Sequence, residues 1–160
     1  MEDTFEIDNM ELMYVNENSL SKELCDEMIQ LFETSSDRYI GTTASGVNAN
    51  IKDTTDLVIT DNPEWSKISD TLSRELNNNI QEYVTKYNQM FDNYTIFHQC
   101  ELQIPSMQMQ KYNKKVGNYV YHNDFDYNVK HSLVRQLTFL WYINDVDEGG
   151  ETEFWSKYNI

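Results

Sequence analysis

The chain has 160 residues, with 27 Asp and Glu against 12 Lys and Arg, for a formal charge of −15. A surface this negative repels phosphate backbones and anionic lipid, which argues against nucleic acid or a membrane surface as the partner. Hydrophobic residues at 39% and aromatics at 13%, with only 5 Gly and 2 Pro, can fill the core of one globular domain and exclude a disordered or collagen-like chain.

The opening residues Met1-Glu2-Asp3-Thr4-Phe5-Glu6 have neither a basic n-region nor an apolar h-region, so no signal peptide is expected. The longest apolar run, 139–143, is far too short to cross a bilayer. Cys25 and Cys100 form no C-x-x-C pair and read as buried thiols. A cytoplasmic protein is expected.

A first helix is predicted over 21–33. Ser21 can cap it, Glu23 suits the positive end of the helix dipole, and Leu24, Met28, Leu31 and Phe32 form one apolar stripe. Segment 39–60 is rich in Thr, Ser, Asn and Gly. It reads as loop or hairpin, with a short strand at Leu57-Val58-Ile59. A second helix is predicted over 63–87, with Asn62 as N-cap and Pro63 at the first helical position. Trp65, Ile68, Leu72, Leu76, Ile80, Tyr83 and Tyr87 recur at steps of three and four and mark its core-facing side. The triple Asn77-Asn78-Asn79 weakens helix propensity midway.

After Tyr94 the pattern turns to strands, expected over 102–112, 119–124 and 134–143. In the last of these Gln136, Thr138, Leu140 and Tyr142 share one face, and Arg135, Leu137, Phe139, Trp141 and Ile143 the other. Asp147-Glu148-Gly149-Gly150 gives a turn. Helices first and strands afterwards predict an α+β fold. We divide it into a helical support region, 1–95, and a strand-rich region, 96–160, within one structural domain.

The chemistry centres on Tyr121-His122-Asn123-Asp124-Phe125. Residues i and i+2 of an extended segment point the same way, so His122 and Asp124 present an imidazole and a carboxylate together. Such a pair is two-thirds of the facial triad that holds non-haem Fe(II) with open positions for substrate and dioxygen. Taken alone, H-x-D is also what a surface hydrogen-bonded pair looks like.

Its context is more specific. Past Asp124 come Arg135-Gln136-Leu137-Thr138-Phe139-Leu140-Trp141-Tyr142-Ile143-Asn144-Asp145 and then Gly149-Gly150-Glu151-Thr152-Glu153-Phe154. Upstream lie Gln110-Lys111-Tyr112, Gly117 and Tyr119, and further back the helix containing Leu20-Ser21-Lys22-Glu23-Leu24. In this order the segments resemble the prolyl 4-hydroxylase-like family of Fe(II)/2-oxoglutarate-dependent dioxygenases. The step from Tyr112 to His122 is one residue longer than is usual in that family.

The resemblance implies a double-stranded β-helix, or jelly roll, buttressed by N-terminal helices, with 96–160 forming its first half. It implies His122 and Asp124 as iron ligands and Tyr112 and Thr138 as hydroxyl donors to 2-oxoglutarate. The cofactors implied are Fe(II), 2-oxoglutarate as co-substrate, and ascorbate. The implied activity is hydroxylation of an unactivated C–H, with a prolyl residue of a peptide or protein as the expected substrate.

The family also uses a second histidine and a later Lys or Arg that clamps the distal carboxylate of 2-oxoglutarate. His98, His131, Arg135 and Lys157 do not occupy those positions. The chain is therefore expected to hold an incomplete active site, as a fragment, as half of a split enzyme, or as a non-catalytic jelly-roll binding module. A cupin-like metal hydrolase or isomerase keeps the barrel but leaves the Gly-Gly-Glu-Thr match unexplained. Open sheet edges would favour self-association.

Overall fold

A computed structural model describes residues 13–90, 103–104, 106–128 and 133–154, without the side chains of 88–90. His98, Cys100, Leu102, Lys130, His131 and Lys157 lie outside the described residues. The chain divides into two compact units, Met1–Leu24 with Ile59–Met107, and Cys25–Val58 with Gln108–Ile160.

The first unit is built on the long helix. Asn62 caps a 3-10 turn, Pro63–Trp65, its side chain accepting the Glu64 N–H at 3.1 Å, and the chain then continues as an α-helix, Ser66–Met90. To keep chain order this helix is α2. Trp65, Ile68, Leu72, Leu76 and Tyr87 are buried, and Ile80 and Tyr83 are half-buried, so the predicted face is the one that packs. Ile59 and Met107 join this buried set and are tied by the Ile59 N–H donating to the Met107 carbonyl at 2.9 Å.

The asparagine triplet does not interrupt α2. Asn79 bonds to the Glu75 carbonyl and to Ser19 Oγ, at 2.7 and 2.8 Å, and accepts from Asn16 at 2.8 Å. Tyr14 donates to the Glu82 carboxylate. Asn79, a poor helix former on propensity, thus holds an irregular segment, 14–19, along the helix flank, and tertiary bonding outweighs a few tenths of a kcal/mol per residue.

Helix α1 (Lys22–Thr34) starts from Ser21, whose Oγ accepts the Leu24 N–H at 3.2 Å, and belongs to the second unit from Cys25 onward. Met28 and Phe32 are buried, and Leu24 and Leu31 half-buried, as the stripe requires. The strands are β1 (Tyr39–Ile40), β2 (Lys52–Asp53), β3 (Thr55–Val58), β4 (Gln108–Lys111), β5 (Asn118–Tyr119), β6 (Tyr127–Asn128) and β7 (Leu133–Val134). All pairs are antiparallel: a sheet ordered β1-β3-β4, and the two-stranded pairs β2-β5 and β6-β7. Helices with small antiparallel sheets make the architecture α+β.

The β2–β3 segment has an interrupted partner. Thr55 faces Lys111, but Lys52 faces Tyr119, so three steps on one side span eight on the other. The excess forms a loop. The Gly117 N–H closes it by donating to the Asn113 carbonyl at 2.7 Å, and Lys115 takes a left-handed φ of 72°. A Cβ on Gly117 would sit 2.5 Å from the Asn113 nitrogen, so this closure needs glycine.

The strands are shorter or shifted relative to expectation: 102–112 contributes Gln108–Lys111, and the strand expected at 57–59 is Thr55–Val58. Of the segment 119–124 only Tyr119 belongs to a strand, the Val120 N–H adding one bond to the Ile51 carbonyl, and of 134–143 only Val134 does, the Arg135 N–H adding one bond to the Asp126 carbonyl. The alternation in 137–143 is real: Leu137, Phe139, Trp141 and Ile143 are half-buried, while Thr138, Leu140 and Tyr142 are exposed. Periodicity decides which side chains face inward, whereas a ladder also needs a neighbouring edge, and no described strand lies beside 135–143.

Candidate functional site

The site lies in the second unit and begins with a buried polar row. Lys52, Thr54 and Asp56 alternate along β2–β3 and share one face. The Lys52 ammonium bonds Asp56 Oδ2 at 2.6 Å and Thr54 Oγ1 donates to Asp56 Oδ1 at 2.7 Å, with the Lys52 and Asp56 side chains only 3% and 2% exposed. Gly41 closes over this row, its N–H donating to the Thr54 carbonyl at 2.8 Å. A Cβ there would fall 2.0 Å from Thr54 Oγ1 and 3.2 Å from Lys52 Cε.

Across the ladder from Lys52 stands Tyr119, whose ring centroid is 5.3 Å from the ammonium, within cation–π range. The His122 imidazole stacks on that ring, with centroids 3.8 Å apart and planes at 18°. His122 Nδ1 lies 2.8 Å from the Val120 carbonyl, which can only accept, so Nδ1 carries a proton. The other nitrogen, Nε2, lies 3.4 Å from Asp124 Oδ1. Both side chains are about two-fifths exposed, so ligand can reach them.

Arg135 braces the carboxylate. Its Nη1 donates to the Asp124 carbonyl at 2.8 Å and lies 3.8 Å from Asp124 Oδ1, and Nη2 lies 4.0 Å from Asp126 Oδ2. The Arg135 N–H donates to the Asp126 carbonyl at 3.0 Å, at the mouth of the β6–β7 pair. The Gly149-Gly150 turn, with both φ values near 80°, is followed by two contacts to earlier residues. Tyr142 shares a hydrogen bond with Thr152, and Tyr121 donates to the Glu153 carboxylate. That last bond raises the Tyr121 pKa, because ionisation would remove the donated proton and set two negative charges together.

Of the predicted residues, His122 and Asp124 are brought together. Tyr112 lies at the base of the loop that precedes β5, its hydroxyl donating to Gln110 Oε1 at 3.1 Å. Burial raises its pKa first, and the nearby negative charge of Asp56 and the ionisable Tyr119 and Tyr142 add to the effect. Tyr112 therefore shares Tyr119 as a neighbour with His122. Thr138 lies on the exposed side of 137–143, the side that also carries Tyr142, and no described contact joins it to the other three.

No family model, curated protein or solved structure matches this chain.

Sequence reasoning missed Lys52, Thr54 and Asp56, and it gave Tyr119 a place in the family resemblance and in a strand but no role beside His122. The available signal was the i, i+2, i+4 spacing of Lys52, Thr54 and Asp56, which in a Thr- and Asn-rich stretch passes for loop composition. Cys25 forms no disulfide among the described residues. No described helix is long and apolar enough to cross a membrane. A cleft of about 280 Å³ in the first unit, lined by Asp61, Ser66, Ser69 and Asp70 among others, contains none of the predicted site residues.

Two neighbouring ligand atoms each about 2.1 Å from a shared ion stand about 3.0 Å apart in octahedral and about 3.4 Å apart in tetrahedral disposition. The observed separation of Nε2 and Oδ1 is 3.4 Å, which matches the wider spacing and equally a direct imidazole–carboxylate contact. A carbonyl-bound Nδ1–H is the usual outer-shell arrangement of a metal-ligating histidine, since it fixes the tautomer and aims the Nε2 lone pair. Among the described residues no group of three His, Cys, Asp or Glu side chains surrounds a common point.

Proposed function

We propose that the chain carries part of the active site of an Fe(II)/2-oxoglutarate-dependent dioxygenase resembling the prolyl 4-hydroxylases, on a jelly-roll scaffold begun by the small sheets. The observation that carries the reading is the His122–Asp124 pair: two donor atoms 3.4 Å apart, with the imidazole tautomer fixed by Val120. When bound, Fe(II) with 2-oxoglutarate and dioxygen would supply the oxidation of an unactivated C–H to an alcohol, with succinate and carbon dioxide as co-products.

The residues of this chain bind and orient. His122 and Asp124 offer one nitrogen and one oxygen on a shared side. Arg135 holds the Asp124 backbone and balances carboxylate charge. Tyr112 would turn to an anionic co-substrate the hydroxyl proton that it donates to Gln110, and Thr138 offers a hydroxyl from the exposed side of 137–143. A third protein ligand and the cation for the distal carboxylate lie outside the described arrangement. The substrate class we favour is a prolyl residue in a peptide or protein, with ascorbate as an auxiliary reductant.

The test is incubation with Fe(II), labelled 2-oxoglutarate and a panel of proline-containing peptides, alongside direct metal titration. We expect measurable but weak iron binding and little succinate from this chain by itself. Absence of both metal binding and succinate contradicts the proposal. Robust turnover would show that the chain completes its site unaided.

A further inference from the structure

We infer that Tyr119 is the positioning residue for the His122 imidazole, a role that rests on the metal-site reading above. His122 lies outside the β5 ladder and is two-fifths exposed, so strand pairing does not fix its ring. Beside the Asp124 carboxylate at Nε2, two contacts do, one from β5 and one from the residue after it. The Val120 carbonyl holds Nδ1 at 2.8 Å and sets the tautomer. The Tyr119 ring, stacked at 3.8 Å and 18°, sets the imidazole plane. One contact without the other leaves the ring free to swing about the remaining one.

Tyr119 is itself held. Its backbone pairs with Lys52, and the next residue extends the ladder through the Val120 N–H donating to the Ile51 carbonyl at 2.9 Å. Its ring faces an ammonium that cannot wander, because Lys52 is pinned to Asp56 in the interior. A rigid outer shell of this kind lowers the entropy that a ligand side chain loses when it binds an ion. The buried pair, costly to desolvate, thus gains a reason: it anchors the platform on which the imidazole rests.

The experiment uses Tyr119→Leu and Tyr119→Phe in the full chain, each checked for folding by urea titration. Two readouts are taken. In metal-free protein, the His122 ring-proton resonances report the stacked aromatic ring directly. In Co(II) titrations, the affinity reports pre-organisation. We expect Tyr119→Phe to keep shielded His122 resonances and wild-type Co(II) affinity. Tyr119→Leu should lose the shielding and bind Co(II) about tenfold more weakly. Unchanged resonances and affinity in Tyr119→Leu would overturn the inference. If wild type binds no Co(II), the metal-site reading fails, and nuclear Overhauser contacts from the His122 ring to Val120 still decide the inference: their loss in Tyr119→Leu supports it, and their retention overturns it. Tyr119→Val, a strand former without an aromatic ring, replaces the leucine variant if that one unfolds.

Discussion

Replacing Lys52 by methionine removes one charge from a pair that water barely reaches. The two side chains are 3% and 2% exposed and their charged atoms are 2.6 Å apart. In the variant, Asp56 keeps the Thr54 hydroxyl at 2.7 Å, and a carboxylate is left in the interior with no counter-charge in contact among the described residues. Breaking a buried pair in this way costs about 3–5 kcal/mol, because the remaining charge keeps its desolvation penalty. Asp56→Asn strands the ammonium instead, with the Tyr119 ring as a partial substitute. The double variant Lys52→Met/Asp56→Asn carries neither charge and should cost at least about 1 kcal/mol less than the sum of the singles. Equilibrium urea unfolding measures all four proteins, with an unchanged m-value as the check that the unfolded ensemble is comparable. A loss below about 1 kcal/mol for Lys52→Met, the range of exposed pairs, would refute the buried ion pair, as would strict additivity in the cycle.

Three other outcomes follow from particular contacts. Gly41→Ala places a methyl 2.0 Å from Thr54 Oγ1 and should lower stability by about 1–3 kcal/mol in the same urea assay, through displacement of the polar row. Leu72→Ala, at a fully buried position on α2, should cost about 2–5 kcal/mol, whereas Asn78→Ala on the exposed side should be neutral or slightly stabilising. The hydrogen bond from Lys111 holds the Glu33 pKa below its ordinary 4.5, against a smaller opposing effect of burial. A carboxyl whose folded pKa is depressed contributes stability that is present above the unfolded value and is lost as pH falls through the folded one. Glu33→Gln should therefore flatten the stability profile below about pH 4.5, by less than 1 kcal/mol because the pair is exposed.

The elements that announced themselves were those whose own sequence decides them. Ser21 and Asn62 cap helices where the spacing of Leu24, Met28 and Phe32, and of Trp65, Ile68 and Leu72, requires helices to begin. The two-residue step of His122 and Asp124 likewise brought their side chains together, although neither belongs to a strand. The elements that stayed hidden depend on distant partners. Whether 135–143 pairs is decided by a neighbouring edge, which its alternation cannot report. The asparagine triplet reads as a weak point until Ser19 and Asn16 are placed beside Asn79. The polar row of Lys52, Thr54 and Asp56 looks solvated because its burial depends on Gly41 and on a ladder to Tyr119, 67 residues along the chain.

Anaerobic calorimetric titration with Fe(II) tests the central claim most directly, comparing the wild-type chain with His122→Ala and Asp124→Ala. We expect one weak site in wild type, lost or at least tenfold weaker in either variant, since each substitution removes one of the two donors that stand 3.4 Å apart. No binding to the wild-type chain, or equal binding by all three proteins, would contradict it.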